Sequence, residues 1–184
     1  MADDIEYDLG LLTNDYDIDA KHVEELKVTV SRWRNAVRVH IRNYYYDYIE
    51  EEWNPTKKGI VISSEHVDNW VALLTEAFQI YKELTSEKNT IDDAECDLGI
   101  VSPAKNNKVV KIFVRVLDSE INLGIHEYFY NYQYDAWCET DKVFTIPSRH
   151  IVSLLELVTK ASEICAELYK EEIKNLLNSN EDKQ

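Results

Sequence analysis

Glycine is scarce in this sequence, with four in 184 residues, and no glycine-rich phosphate loop is present. Cysteine is scarcer still. Cys96, Cys138 and Cys165 are far apart and odd in number, and no CxxC or Cys/His cluster occurs, which excludes a disulfide framework and a zinc site. Isolated cysteines of this kind behave as small buried hydrophobes. No apolar run approaches the ~20 residues that cross a bilayer, and no leader-like start is evident, so a soluble intracellular protein is expected. The five histidines (His22, His40, His66, His126, His150) have no carboxylate or cysteine arrangement suggesting a triad or metal site. Asp92, Asp93, Glu95 and Asp97 lack the glycine turn and ligand spacing of a calcium loop. Neither an enzyme nor a cofactor is expected.

Basic charge is also in short supply: 20 Lys and Arg against 35 Asp and Glu give a formal charge of −15. That balance argues against nucleic acid, whose affinity comes largely from Lys and Arg. The distribution alters the argument. Residues 1–26 hold nine acids and one base, whereas 27–62 hold seven bases (Lys27, Arg32, Arg34, Arg38, Arg42, Lys57, Lys58) and four acids. Local charge has to decide.

What the chain does have is a repeat. Shifted by 84 residues it matches itself without a gap: Val30, Ile41, Tyr44, Tyr46, Tyr48 and Trp53 fall on Val114, Ile125, Tyr128, Tyr130, Tyr132 and Trp137. Thr56, Lys58, Ile62, Ser64 and His66 fall on Thr140, Lys142, Ile146, Ser148 and His150, and Leu73 to Leu84 on Leu157 to Leu168 continue the series. So many identities in one register, two Trp among them, mark a duplication.

Each copy has one internal order. Val28-Thr29-Val30 and Val37 to Arg42 alternate apolar and polar residues at period two, as half-buried strands do. Arg34-Asn35-Ala36 supplies a tight connection between them. The tyrosine run 44–48 continues the extended segment, Pro55 interrupts, and Lys57 to Ile62 form a further strand. Ser63 or Ser64 can cap a helix carried by Val67, Trp70, Val71, Leu74, Phe78 and Tyr81. In the second copy Ile151, Leu154, Leu155, Val158, Ala161 and Cys165 repeat that pattern, and the helix runs to about Leu177. The apolar arc spans roughly 180°, wider than the ~100° stripe that one sheet covers. An internal pseudo-dimer and a dimer between chains both fit that arc. The expected divisions are an acidic flexible segment 1–26, a first repeat 27–84, a linker 85–107, a second repeat 108–178 and a tail 179–184.

Val28-Thr29-Val30, Trp33-Arg34-Asn35, Val37 to Tyr44 and Pro55-Thr56-Lys57-Lys58-Gly59-Ile60, in that order and spacing, resemble the transcriptional positive cofactor four family. The resemblance covers about 27–84 and, through the duplication, 111–168. It implies an α+β fold of two tandem ββββα units, each a curved four-stranded antiparallel sheet followed by one long helix. It further implies non-enzymatic binding of single-stranded DNA, or RNA, across the sheet, transcriptional coactivation with transcription proteins as partners, and a nuclear or viral transcription setting. The family's binding positions carry over as Trp33, Arg34, Arg42, Lys57 and Lys58.

The residues support that reading by themselves. Arg38, His40 and Arg42 alternate with Val37, Val39 and Ile41 and so share one strand face, a row of cations beside aromatics such as an unstacked strand requires. An ordinary solvated strand face is the plainer alternative. The second copy departs from the pattern: Leu117, Asp118, His126, Asp141 and Val143 replace Trp33, Arg34, Arg42, Lys57 and Gly59, and only Lys142 survives. It reads as a structural partner, or as a presenter of Tyr128, Phe129, Tyr130, Tyr132 and Tyr134 to a protein. The rival function for the whole chain is an acidic protein-interaction scaffold of the transcription or replication machinery.

Overall fold

The protein is described by a computed structural model, which covers residues 5–12, 24–34, 36–86, 93–105 and 107–181. Strands β1 (Ile5–Leu11), β2 (Glu24–Trp33), β3 (Ala36–Asp47) and β4 (Glu52–Ser63) form one antiparallel sheet in that order. A single 3-10 turn, Ser64–His66, leads into helix α1 (Val67–Ser86). The order then repeats as β5 (Ala94–Lys105), β6 (Lys108–Leu117), β7 (Glu120–Asn131), β8 (Ala136–Pro147), the turn Ser148–His150 and α2 (Ile151–Glu181). The fold is α+β, ββββα twice.

The period-two pattern decides which face of each sheet is buried. Val28 and Val30 on β2 lie opposite Ile41 and Val39 on β3, which face Ile60 and Ile62 on β4, and all six are buried. Ile112 and Val114 oppose Ile125 and Leu123 in the same way, with Phe144 and Ile146 beyond. The β2–β3 hairpin turns on Arg34, which takes a left-handed conformation at φ 54°. Asn35 lies outside the described residues.

Three sequence expectations are corrected. First, residues 5–11 and 94–105, expected in a flexible segment and a linker, are the opening strands of the two sheets. Each carries Asp-Leu-Gly, Asp8 to Gly10 and Asp97 to Gly99, and the aspartate accepts the glycine N–H at 2.9 Å. Both glycines have positive φ, 114° and 123°, at a bulge where the register shifts. These strands are 89 residues apart, so the 84-residue register passes over them. Second, Pro55 does not interrupt. It sits inside β4 opposite Tyr44, and β4 is an edge strand, where a missing N–H costs no ladder bond on the open side. Third, Ser63 is extended before the helix turn but makes no side-chain cap.

The wide helical arc is explained by what the helices touch. Buried residues fall at Val67, Trp70, Leu74 and Ala77 on α1 and at Ile151, Leu154, Val158, Ala161, Cys165 and Leu168 on α2. Spacings alternate three and four, the pattern of a helix-to-helix seam, and the two helices pack on each other. Each helix also lies against the sheet of the other unit: α1 on β5 and β6, and α2 on β1, β2 and β3. Polar contacts follow the same crossing. The Asn69 amide of α1 donates to the carbonyls of Ile100 and Val101 on β5 at 2.9 and 3.0 Å. Arg32 of β2 pairs with Glu171 of α2 at 3.3 Å, and Ser162 of α2 donates to Asp68 of α1 at 2.5 Å. One continuous hydrophobic cluster results, drawn from both units. Cys165 is buried in the helix seam, and that burial pushes its thiol up to about 11, with Asp68 adding to the effect. Among the described residues, no helix is long and apolar enough to cross a membrane.

Candidate nucleic-acid interface

The face of the first sheet that points away from the helices is set by the same alternation that buries the other face. On β3 it presents Arg38, His40, Arg42 and Tyr44. On β2 it presents Lys27, Thr29, Ser31 and Trp33, paired with Arg42, His40, Arg38 and Ala36 respectively. Arg38 and Arg42 are ~13 Å apart along the strand at ordinary strand rise. At the hairpin end the Arg34 guanidinium stacks over the Trp33 ring at 4.3 Å, and Trp33 is half exposed.

Lys57 and Lys58 lie on an irregularity that the sequence does not reveal. Between Arg42/Gly59 and Tyr44/Pro55 the β4 strand carries two extra residues, so 56–58 bulge out opposite Asn43. Thr56 shapes the bulge. Its hydroxyl accepts the Lys58 N–H at 3.1 Å and donates to the Lys58 carbonyl at 3.3 Å. Both lysines are exposed there, beside Arg42. Gly59 completes the arrangement by what it lacks: a Cβ at this position would meet Arg42 Nε at 2.9 Å and its Cβ and Cγ at 3.3 Å. The Arg42 side chain lies across the bare backbone of Gly59.

Alternation thus puts Trp33, Arg38 and Arg42 on one face, Arg34 stacks on Trp33 at its hairpin end, and Lys57 and Lys58 stand exposed on the bulge next to the Arg42/Gly59 pair. Two neighbours on this face, His40 and Lys27, are engaged within the fold. The Ser31 hydroxyl and His40 Nε2 are 2.7 Å apart. Burial, then the Arg42 charge, holds His40 below its ordinary pKa, with Glu6 opposing and Arg38 adding to the depression. His40 is a neutral hydrogen-bonding group at pH 7. Lys27, by contrast, is bound to Asp8 at 3.4 Å and lies over the Tyr44 ring at 5.0 Å. Beyond Arg38 the face opens into a groove of about 380 Å³ between the units, lined also by Ser63, His66, Ser102, Lys108 and Glu127.

Pairing of charge separates the two units. Among the described residues, Arg34, Arg38, Arg42, Lys57 and Lys58 have no acidic partner within ion-pair distance. On the second sheet Lys111 binds Asp97 at 3.1 Å, Arg115 binds Glu95 at 2.6 Å, and Lys108 and Lys142 both bind Glu127, at 3.1 and 3.4 Å. The position matching Arg42 is His126, whose Nδ1 is bonded to Glu139, and Val143 fills the place of Gly59. Where Thr29 faces His40 in the first sheet, Phe113 faces Gly124 in the second, with a ring so close that no Cβ would fit. On the second face, Lys108, Lys111, Arg115 and Lys142 are each paired with a carboxylate, and the Phe113 ring takes the space above Gly124.

Residues 22–75 match the family model described as Transcriptional Coactivator p15 (PC4). The PC4 match spans β2 to the middle of α1, the part that carries Trp33, Arg34, Arg38, Arg42, Lys57 and Lys58. It leaves the second unit and β1 outside. A PC4 segment supports a DNA-binding, transcription-coactivator kind of role for this chain. No curated protein matches the chain.

Proposed function

We propose that the first unit holds single-stranded nucleic acid, DNA in the first place, across the outer face of its sheet, and that the protein acts by binding and not by catalysis, as a coactivator in a nuclear or viral transcription compartment. The observation that carries this reading is the set of five cations with no acidic partner among the described residues, set along one sheet from the Trp33–Arg34 hairpin through Arg38 to Arg42 and the 56–58 bulge. Unpaired cations of one sign on one face repel each other, and the fold gains nothing by assembling them. A polyanion relieves that repulsion, and Trp33 and Tyr44 offer rings to unstacked bases. Duplex is disfavoured because, among the described residues, no helix lies on this face to enter a groove. The second unit, its cations internally paired, completes the core from the opposite side.

The test is fluorescence anisotropy of a labelled ~20-nucleotide single strand, a length that exceeds the site of one small binding domain. Wild type is expected to bind, and an Arg34→Ala/Arg42→Ala/Lys57→Ala/Lys58→Ala variant is expected to lose binding while melting at the wild-type temperature. Equal binding by the two proteins would overturn the reading.

A further inference from the structure

We infer that the outer face of the second sheet is a docking surface for an extended, Lys/Arg-rich segment of a partner protein. At the positions that carry the first unit's site the charge is inverted as well as removed. Asp118 stands for Arg34 and Asp141 for Lys57; Glu120 and Glu139 stand for the uncharged Ala36 and Pro55. Asp118, Glu120 and Asp141 are exposed and have no Lys or Arg partner among the described residues. Lys108, Lys111, Arg115 and Lys142 are already held by Glu95, Asp97 and Glu127, and Asp118, Glu120 and Asp141 remain to give the surface its sign.

The space between those carboxylates holds rings and aliphatic groups, with Arg115 over the Phe113 ring at 5.1 Å and Lys111 over the Tyr128 ring at 5.8 Å. Phe113 is buried beneath the face against His126, ring to ring at 4.5 Å, and Tyr128 flanks it. Leu117 is 50% exposed, Val143 37% and Trp137 43%, and all three lie on this outer face. Asp118 and Glu120 sit at one end of β7, while Asp141 and Glu139 lie toward the other. That separation suits an extended partner of about ten residues at ~3.3 Å each. The carboxylates recognise guanidinium and ammonium groups by charge-assisted hydrogen bonds, and the exposed Leu117, Val143 and Trp137 take their aliphatic stems, with the Trp137 ring open to cation–π contact. A nucleic acid strand is repelled by the same carboxylates. The two units thus offer faces of opposite sign, and this inference does not depend on the function proposed for the first.

The experiment uses the full chain and a fluorescein-labelled, Lys/Arg-rich peptide of ~12 residues, just longer than the face, with a Gln-substituted peptide as control. The basic peptide is expected to bind and the control is not. Asp118→Asn/Glu120→Gln/Asp141→Asn is expected to weaken the peptide about tenfold, as loss of a few partly exposed charge contacts does. Neutralising three exposed helix acids, Glu76→Gln/Glu83→Gln/Glu163→Gln, is expected to leave it unchanged. An unlabelled single strand added to the peptide complex should not release the peptide. Equal weakening by the sheet and helix triples would show diffuse attraction to an acidic body and overturn the inference, as would no weakening by the sheet triple. Release of the peptide by the strand would also overturn it, by placing the peptide on the first sheet. Oligonucleotide binding by the sheet triple, measured alongside, reports on the first unit separately.

Discussion

Replacing Gly59 with Val should remove a nucleic-acid contact without touching a charged residue. The new Cβ would stand where Arg42 Nε now lies, 2.9 Å away, and 3.3 Å from its Cβ and Cγ. The backbone at Gly59 needs no left-handed conformation, and a β-branched residue suits a strand, so the fold should tolerate the change. What moves is the Arg42 guanidinium, off the sheet face and away from Lys57 and Lys58. The magnitude follows from counterion release. Five unpaired cations on a single strand at ~0.7 each give a slope of log affinity against log salt near −3.5, so raising salt from about 50 to 200 mM should weaken wild type about 100-fold. Four contacts give about −2.8 and about 50-fold. Gly59→Val and Arg42→Ala should therefore share the shallower slope, and the double variant should add nothing further. Anisotropy titrations at four salt concentrations read this directly. A wild-type slope flatter than about −1, or a Gly59→Val slope equal to wild type, would refute the reasoning.

Three further outcomes are expected. The first unit alone, ending before β5, should not exist as a folded monomer, because α1 leaves its own sheet to cover β5 and β6; size exclusion with circular dichroism should find dimers, larger species or unfolded chain. Gly124→Ala should destabilise the protein by about 1–3 kcal/mol in urea titration, since its Cβ would overlap the Phe113 ring and the strand must shift. His40 has a folded-state pKa below its ordinary 6.5, so the unfolded chain takes up its proton first as pH falls. Its contribution to stability should be present above about pH 6.5 and decline below it, and melting curves at pH 7.5 and 5.5 should converge more for His40→Gln than for wild type.

Alternating valines and isoleucines made six of the eight strands legible, and helical spacing from Val67 and from Ile151 made both helices so. The opening strands were hidden for a definite reason: Glu6-Tyr7-Asp8-Leu9-Gly10 has the composition of a solvated turn, and its partner Glu95 to Gly99 sits five residues out of the main register. A second search for Asp-Leu-Gly at its own spacing would have found them. Within the site, residue types were readable because a strand fixes which side chains share a face. The bulge that brings Lys57 and Lys58 beside Arg42 was not, since it depends on how many residues β4 spends between two pairings. Nor could charge counting reveal that Lys27 is engaged by Asp8 while Lys57 and Lys58 are not. The helix arc announced an additional neighbour. That each helix would cross to the other sheet required the tertiary structure.

That crossing sets a timetable for the nascent chain. The first sheet is fully synthesised at Ser63, yet the helix that covers it begins at Ile151, 88 residues later. At ~5–20 residues per second this leaves an interval of roughly 4–18 s. Throughout it Val28, Val30, Val39 and Ile41 stand on an uncovered apolar face while the ribosome is still at work. The unit that carries the binding site is made first and closes last, so any stop codon before α2 leaves a complete set of binding residues on a sheet that its own chain cannot cover.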